Sequence, residues 1–335
     1  MRSNTTGKND NTKKNGKTGK NNRTKKSKDM APIQIREKYV SFTSDFGFKK
    51  LFGTEVNKDL LLSFLNEVLR GQETIVDITY LDKEQLGPVK ASRRSVFDIY
   101  CKNDQGDYII VEMQNEEEDY FEERTIYYST FAVNQQGVKG KDWNFRFKRV
   151  YIVGILNFIL DKKNPDYYHH EVGLLDKKTY DVYSDKLQIV YIELPKFKKE
   201  ETELETLLDK WLFTIKHLSD LEGRPEALHE NVFDSLFQQA AVANLTKEEY
   251  DSYSWEIVDA WNNYAVMETK FNRGHEKGLQ EGLEKGMKRG LEKGLEKGMK
   301  KGLEKGIMKG REIERQSIIN MLREQGISED ILERI

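Results

Sequence analysis

Apolar and polar positions alternate along residues 96–114 in a pattern typical of a β-hairpin. Two runs rich in β-forming residues flank segment 103–107, which is rich in turn-forming residues and carries a glycine near its end. Folding the chain symmetrically about Gln105 places three apolar pairs on one face of the hairpin. The predicted pairs are Phe97 with Met113, Ile99 with Val111, and Cys101 with Ile109.

The opposite face of this predicted hairpin carries two acidic residues. The same register places Asp98 opposite Glu112, with Gln114 two positions further along the strand. Opposed residues have Cβ atoms about 4.5–5.5 Å apart, and like charges at that distance are destabilising. Either both acids point into water on a solvated face, or they hold a cation between them. Carboxylate oxygens suit Mg²⁺ or Mn²⁺, and such ions promote the hydrolysis of phosphodiester bonds.

Several short motifs stand in a recognisable order along most of the chain. In chain order they are Asp45–Phe52, Leu65-Asn66, Glu112-Met113-Gln114, Arg124 with Tyr127 and Tyr128, and a set of glycine tetrads near the C-terminus. Each motif is short, but their order is specific. It resembles the recombination-promoting nuclease (Rpn) and transposase family of the PD-(D/E)XK nuclease superfamily, over roughly residues 40–325.

The resemblance implies a fold and a catalytic site. The fold is α/β, with a PD-(D/E)XK restriction-endonuclease-like core of α-β-β-β-α-β order, a mixed central sheet and an α-helical C-terminal region. In the site, Asp98 and Glu112 hold Mg²⁺ (or Mn²⁺) with help from the backbone carbonyl of Met113, and Gln114 positions the attacking water. The superfamily usually has lysine at the last position. A glutamine amide carries no charge and does not act as a base near neutral pH.

Basic and aromatic residues around the hairpin are candidates for substrate binding. Arg124 either neutralises a phosphate, braces Glu112, or pairs with Glu117 or Glu123, and the sequence leaves these alternatives open. The other candidates are Lys49 in the first motif, Arg93 in a basic patch just before Asp98, and Tyr128 one helical turn after Arg124.

Periodicity predicts the elements around the hairpin. Segment 58–70 has apolar residues at helical spacing, and 75–81 has the composition of a strand. Segment 116–136 is predicted as a helix with an acidic start, which the helix dipole favours. The apolar run 149–160 indicates a strand buried on both faces and added in parallel, and 187–194 indicates a further strand.

Composition narrows the class of protein. At 335 residues, with 37% hydrophobic and 33% charged residues, the chain can bury one large core and carry charged helical extensions. Cys101 is the single cysteine, which excludes an internal disulfide framework and a multi-cysteine metal site. The sequence has no run of about 18 apolar residues, so no membrane contact is expected and the expected location is cytoplasmic.

The N-terminal segment is strongly basic. Residues 1–30 contain eight Lys and two Arg against two Asp, and their net charge of about +8 leaves the rest of the chain near −10. Because the segment has no apolar residue besides two methionines, residues 1–35 are predicted to be a disordered basic tail. Either this tail holds nucleic acid through its phosphates, or translation starts at Met30.

Glycine recurs at every fourth position from Gly274 to Gly310, and Gly-Leu-Glu-Lys is the commonest tetrad. Each tetrad advances about 40° around an α-helix, and each glycine costs about 1 kcal/mol relative to alanine. A helix over 272–312 is therefore marginal alone. Self-association through the glycines and the Leu or Met that follows most of them is the preferred interpretation, and a flexible spacer is the alternative.

These patterns divide the chain into five parts. They are the basic tail 1–35, a nuclease-like domain 36–200, a helical region 201–271, the tetrad helix 272–312, and a short helix-turn-helix-like end 313–335. The predicted function is that of a metal-dependent DNA endonuclease of the recombination-promoting, transposase-like type, with DNA and a second copy of the chain as partners. The alternatives are a binding module with weak or no catalysis, and a toxin or phage-defence nuclease that shares the chemistry.

Overall fold

A mixed β-sheet lies at the centre of the computed structural model, which describes residues 34–81, 97–137 and 144–332. Within these residues, six strands are ordered β1-β2-β3-β4-β6-β5. The strands are β1 (Ile78–Tyr80), β2 (Ile99–Asn103), β3 (Tyr108–Gln114), β4 (Val150–Leu156), β5 (His169–Leu175) and β6 (Val182–Glu193). The α-helices are α1 (Asp45–Phe52), α2 (Lys58–Val68), α3 (Phe121–Asn134), α4 (Leu207–His217), α5 (Asn231–Ala240), α6 (Lys247–Glu324) and α7 (Glu329–Leu332).

The β2–β3 hairpin has the predicted register within its strands. Ile99 pairs with Val111 and Cys101 pairs with Ile109. Gly106 closes the turn at φ +85°, in the left-handed region that glycine occupies without steric cost. The alternation of side chains and the turn residues therefore suffice to fix this hairpin.

The prediction for Phe97 is wrong. Its ring lies on the face opposite Met113, where it packs against Tyr100 and Tyr128. The strand β2 begins only at Ile99, because the side chain of Asp98 takes the backbone N–H of Met113 in place of a ladder partner. Strand alternation therefore does not extend to Phe97.

The parallel part of the sheet follows the predicted order. β3 pairs in parallel with β4, and β4 with β6, while α3 makes the crossover from β3 to β4. Every residue of β4 is buried, as its continuous apolar run indicated. The structure thus confirms an α/β fold with a mixed sheet and a helical C-terminal region.

Two apolar layers cover the sheet. On one face the hairpin side chains of Ile99, Val111 and Met113 join a large core to which α1, α2, α4 and α5 contribute. Within it, Trp211 of α4 contacts Phe52, Phe64 and Phe233. On the other face α3 packs against Tyr100, Ile110 and Tyr191. The helices of segment 207–240 thus belong to the same core as the sheet.

The chain divides into two units, of which the first ends at Asp259 and the second begins at Ala260. α6 is 78 residues long and starts with a capping box, in which Thr246 and Glu249 exchange hydrogen bonds. It runs without a break through 272–312, and Gly326 at φ +85° then precedes α7. No described helix is long and apolar enough to cross a membrane. The basic tail up to residue 33 lies outside the described residues.

Candidate active site

The two predicted acids meet where β2 begins and β3 ends. The backbone N–H of Asp98 donates to Oε1 of Glu112 over 3.2 Å, and Oδ2 of Asp98 accepts the N–H of Met113 over 2.9 Å. Each acid is thus held by the backbone of the other strand. Because β3 pairs with β4 on its far side, the position of both carboxylates is fixed by the sheet.

Glu112 is not on a solvated face. Only 6% of the residue is exposed, because α3 covers this side of β3. Its second oxygen, Oε2, accepts a hydrogen bond from Nε2 of Gln114 over 3.0 Å. Burial, and after it the negative charge of Asp98, raises the pKa of the Glu112 carboxyl to about 8, although Arg124 opposes this shift. Without a cation, this carboxyl therefore holds a proton at neutral pH.

The ligand types at this site fit a hard divalent cation. The N–H and the carbonyl of a strand residue face the same neighbouring strand, so the Met113 carbonyl faces the edge where Asp98 lies. Mg²⁺ typically binds one or two carboxylates and keeps several waters. The described residues hold no group of three or more His, Cys, Asp and Glu suited to a metal. Two carboxylates and one carbonyl thus suit Mg²⁺ or Mn²⁺ better than a metal that needs an all-protein cage.

Arg124 and Tyr128 lie beside the acids, on α3. Burial, and after it the negative charge of Glu112, raises the pKa of Tyr128. The positive charge of Arg124 lowers the pKa of Glu112. The ion pair of Arg124 is with Glu118, not with either glutamate that the sequence suggested. Its Nε and Nη2 atoms are buried and have no hydrogen-bond partner within the described chain.

Of the other two predicted substrate residues, Lys49 is described by the structure and Arg93 is not. Lys49 lies on α1, 2.5 Å from Asp45, and lines a cavity of about 850 Å³ that also includes Glu249 and Glu256. Arg93, with the rest of its basic patch, falls outside the described residues. Asp98, Glu112, Gln114, Arg124 and Tyr128 are therefore the predicted residues that the structure groups together.

A comparison with protein families agrees with this geometry. A family model described as "PD-(D/E)XK nuclease family transposase" matches residues 42–270, which is more than half of the chain. The chain belongs to this family. No curated protein and no solved structure matches it significantly. The match confirms the resemblance drawn from the motifs, and it ends before Gly274, so that the glycine tetrads lie outside the matched range.

Within this nuclease-family core, Gly154 is a residue of the site that sequence reasoning missed. It is the β4 neighbour of Glu112, and it pairs with Tyr191 of β6. A Cβ at this position would lie 3.0 Å from Cδ1 of Tyr191 and 3.5 Å from Cζ of Phe121. Because Gly154 has no side chain, the rings of Tyr191 and Phe121 can pack against β4 beside Glu112. In the sequence, Gly154 is indistinguishable from any other small member of an apolar run.

We expect Gly154→Ala to lower the free energy of unfolding by about 1–3 kcal/mol, the usual cost of overpacking a core. Gly173→Ala in β5 is the matched control, because its new Cβ would meet only Oε1 of Gln188 at 3.6 Å. Urea unfolding of both variants measures the difference. Equal stability of the two variants would show that the rings beside Gly154 move at no cost.

Proposed function

We propose that this chain is a DNA endonuclease that depends on Mg²⁺ or Mn²⁺ and hydrolyses phosphodiester bonds, and that it acts inside the cell. The observation that carries the proposal is the pair of half-buried Asp98 and buried Glu112, held by reciprocal side-chain-to-backbone hydrogen bonds in a PD-(D/E)XK nuclease family core. Placing a buried carboxylate beside a half-buried one is costly unless a cation is bound between them. The family supports DNA as the substrate. Self-association through residues 272–312 is part of the same proposal.

Asp98, Glu112 and the Met113 carbonyl would hold the ion. When bound, the ion supplies a more acidic water and neutralises charge that develops on the phosphate. The sheet keeps both carboxylates in place before the ion arrives, so little ordering is needed on binding. The reciprocal hydrogen bonds of Asp98 and Glu112 would therefore serve metal binding as well as structure.

Gln114 would orient the water without taking its proton. Its Nε2 already donates to Glu112, so Oε1 is the atom left to accept a hydrogen bond from a water molecule. An amide oxygen is far too weak a base to deprotonate water near neutral pH. Gln114 therefore positions the water molecule. The proton of that water must leave to solvent or to a phosphate oxygen of the DNA.

Arg124 would bind the phosphate next to the scissile bond. Two of its donor nitrogens are buried without a partner within the described chain, although its third is paired with Glu118. Contacts with the rings of Phe121 and Tyr128 keep the guanidinium plane in place. An anion at this position would satisfy donors that are otherwise costly to bury.

We expect Arg124→Ala to reduce kcat/KM for DNA cleavage about 10- to 100-fold, since a hydrogen bond to a charged group is worth about 1.5–3 kcal/mol. Arg146→Ala is the control, because Arg146 is an exposed arginine outside the site. The measurement is the initial rate of plasmid nicking at several DNA concentrations. Equal rates for the two variants would remove Arg124 from the substrate site.

Cleavage of supercoiled plasmid tests the proposal as a whole. The wild type is incubated with Mg²⁺ or Mn²⁺, beside Asp98→Ala, Glu112→Ala and an EDTA control. Cleavage by the wild type alone supports the hairpin as the active site. No cleavage with any metal or DNA form would favour a binding module, and cleavage by both variants would mean a different site. A toxin or phage-defence role uses the same chemistry, so growth and phage-challenge assays separate those roles.

A further inference from the structure

The tetrad segment of α6 presents four different surfaces, one for each position of the repeat. The glycine column contains every fourth residue from Gly274 to Gly310, and the residues that follow Gly278 to Gly306 form an apolar column from Leu279 to Ile307. The next position forms a column that is mainly acidic between residues 284 and 304, called the acidic column here: it contains Glu284, Glu292, Glu296 and Glu304, and two lysines, Lys288 and Lys300. The last position forms a basic column, which from Lys285 to Lys309 contains only Lys and Arg.

The apolar column is uncovered over its whole length. Its members from Leu279 to Leu303 are 59–75% exposed. An added Cβ on any glycine of the glycine column would meet nothing within 4 Å. Ten glycines destabilise one helix by about 1 kcal/mol each relative to alanine. An exposed apolar column beside an open glycine column is the surface against which another helix can pack closely.

The charges indicate which partner and which orientation this surface fits. Successive residues are about 100° apart around a helix, so the four columns follow in the order glycine, apolar, acidic, basic. The seam between the glycine and apolar columns thus has the acidic column on one side and the basic column on the other. Two copies related by a two-fold axis parallel to the helices place the acidic side of each against the basic side of its partner. An antiparallel pair would place acid against acid and base against base.

We infer that the tetrad segment binds the same segment of a second copy of this chain, with the two helices parallel. Flanking charges select partner and orientation in paired helices generally. Glu284, Glu292, Glu296 and Glu304 form no ion pair within the described chain, so their charges are available to a partner. This inference rests on the self-association proposed above, and it does not depend on nuclease activity.

The four-residue period also determines the shape of the pair. A repeat longer than 3.6 residues drifts around the helix in the right-handed sense, here by about 40° per tetrad. Two straight helices therefore stay in contact over about three tetrads and cross with a right-handed twist, as close-packed Gly-x-x-x-Gly pairs do. Because most tetrads share a glycine, an apolar residue and a basic residue at the same positions, the crossing can form at several similar places along the segment.

Cross-linking of full-chain variants that each carry one added surface cysteine tests the orientation. Leu279→Cys and Leu303→Cys stand near opposite ends of the apolar column. The native Cys101 does not interfere, because burial raises its pKa to about 12. Chains with two tags of different size are mixed, oxidised and separated on a gel. We expect each variant to cross-link with itself, and mixed Leu279→Cys with Leu303→Cys products to be at least about tenfold rarer.

Three results would overturn the inference. Dominant mixed products would mean antiparallel helices. A monomeric mass in light scattering, for the wild type at high concentration, would mean no pairing. The third result concerns charge. Changing the four glutamates of the acidic column to lysine should weaken self-association at least about tenfold. If the mass of this variant in light scattering equalled that of the wild type, charge would not select the partner. Circular dichroism of that variant verifies that the helix itself is kept.

Discussion

Glu112→Gln should reduce plasmid cleavage at least about 100-fold, and the same substitution should stabilise the metal-free protein at basic pH. Glutamine keeps the size of the side chain and an oxygen that can accept the N–H of Asp98. The amide of Gln114 can rotate to accept from the new NH₂ group. What the variant loses is the negative charge that holds the ion, and catalysis by bound metal ions is lost with it.

The stability part of this prediction follows from the raised pKa of Glu112. Its carboxyl titrates at 4.5 in the unfolded chain and at about 8 in the folded one. Between these values the unfolded state has already released the proton that the folded state still holds. The free energy of unfolding therefore falls as pH rises through this window. Glutamine does not titrate, so the variant escapes this loss, and its advantage over the wild type should be largest above pH 8.

Urea unfolding in EDTA at pH 5 and pH 9, together with plasmid cleavage in Mg²⁺, measures both effects. Glu171→Gln is the matched control, because Glu171 is an exposed carboxylate of the same sheet. It should alter neither quantity. A Glu112→Gln protein that is less stable than the wild type at pH 9 would show that the carboxylate is satisfied by its neighbours. A protein that still cuts would move the catalytic site elsewhere.

Mg²⁺ affinity should rise steeply with pH up to about 8. The ion binds the deprotonated carboxylate, so below its pKa the Glu112 carboxyl must first release a proton. With a pKa of about 8, the ionised fraction rises from about 1% at pH 6 to about half at pH 8, so affinity should rise up to about fiftyfold. Calorimetry in buffers with different ionisation enthalpies measures both the affinity and the released proton.

The same titration has an internal control. Glu112→Gln should bind Mg²⁺ weakly, and its remaining affinity should not depend on pH over this range. If the wild type bound Mg²⁺ equally well at pH 6 and pH 8 without releasing a proton, Glu112 would already be ionised in the metal-free protein. The burial of this side chain would then not control its charge.

The sequence predicted the scaffold of the site better than its details. The hairpin register and the buried parallel strand follow from side-chain alternation and from an unbroken apolar run, which are local signals. The error at Phe97 arose where a side chain, that of Asp98, replaces a backbone partner. Alternation predicts only regular pairing, so it cannot reveal where such a replacement ends a strand.

The electrostatics of the site depend on packing that no local pattern encodes. The prediction that segment 116–136 is helical was correct in kind, but α3 begins only at Phe121. The residues before it form a loop, so Arg124 pairs with Glu118 rather than with Glu117 or Glu123. The burial of Glu112 likewise depends on how α3 lies across the sheet. A sequence can therefore identify the two acids without revealing that one of them is protonated at neutral pH.

Because the tetrads resemble one another, α6 can gain or lose whole tetrads without a change in the character of its surfaces. Adding or deleting one tetrad changes the length by about 6 Å and the azimuth of everything beyond it by about 40°. The four columns keep their chemistry, because the inserted unit repeats what precedes it. Copies that differ by whole tetrads would still recognise one another, whereas a change of one, two or three residues would shift every column. Natural length variants of this chain should therefore differ by multiples of four residues.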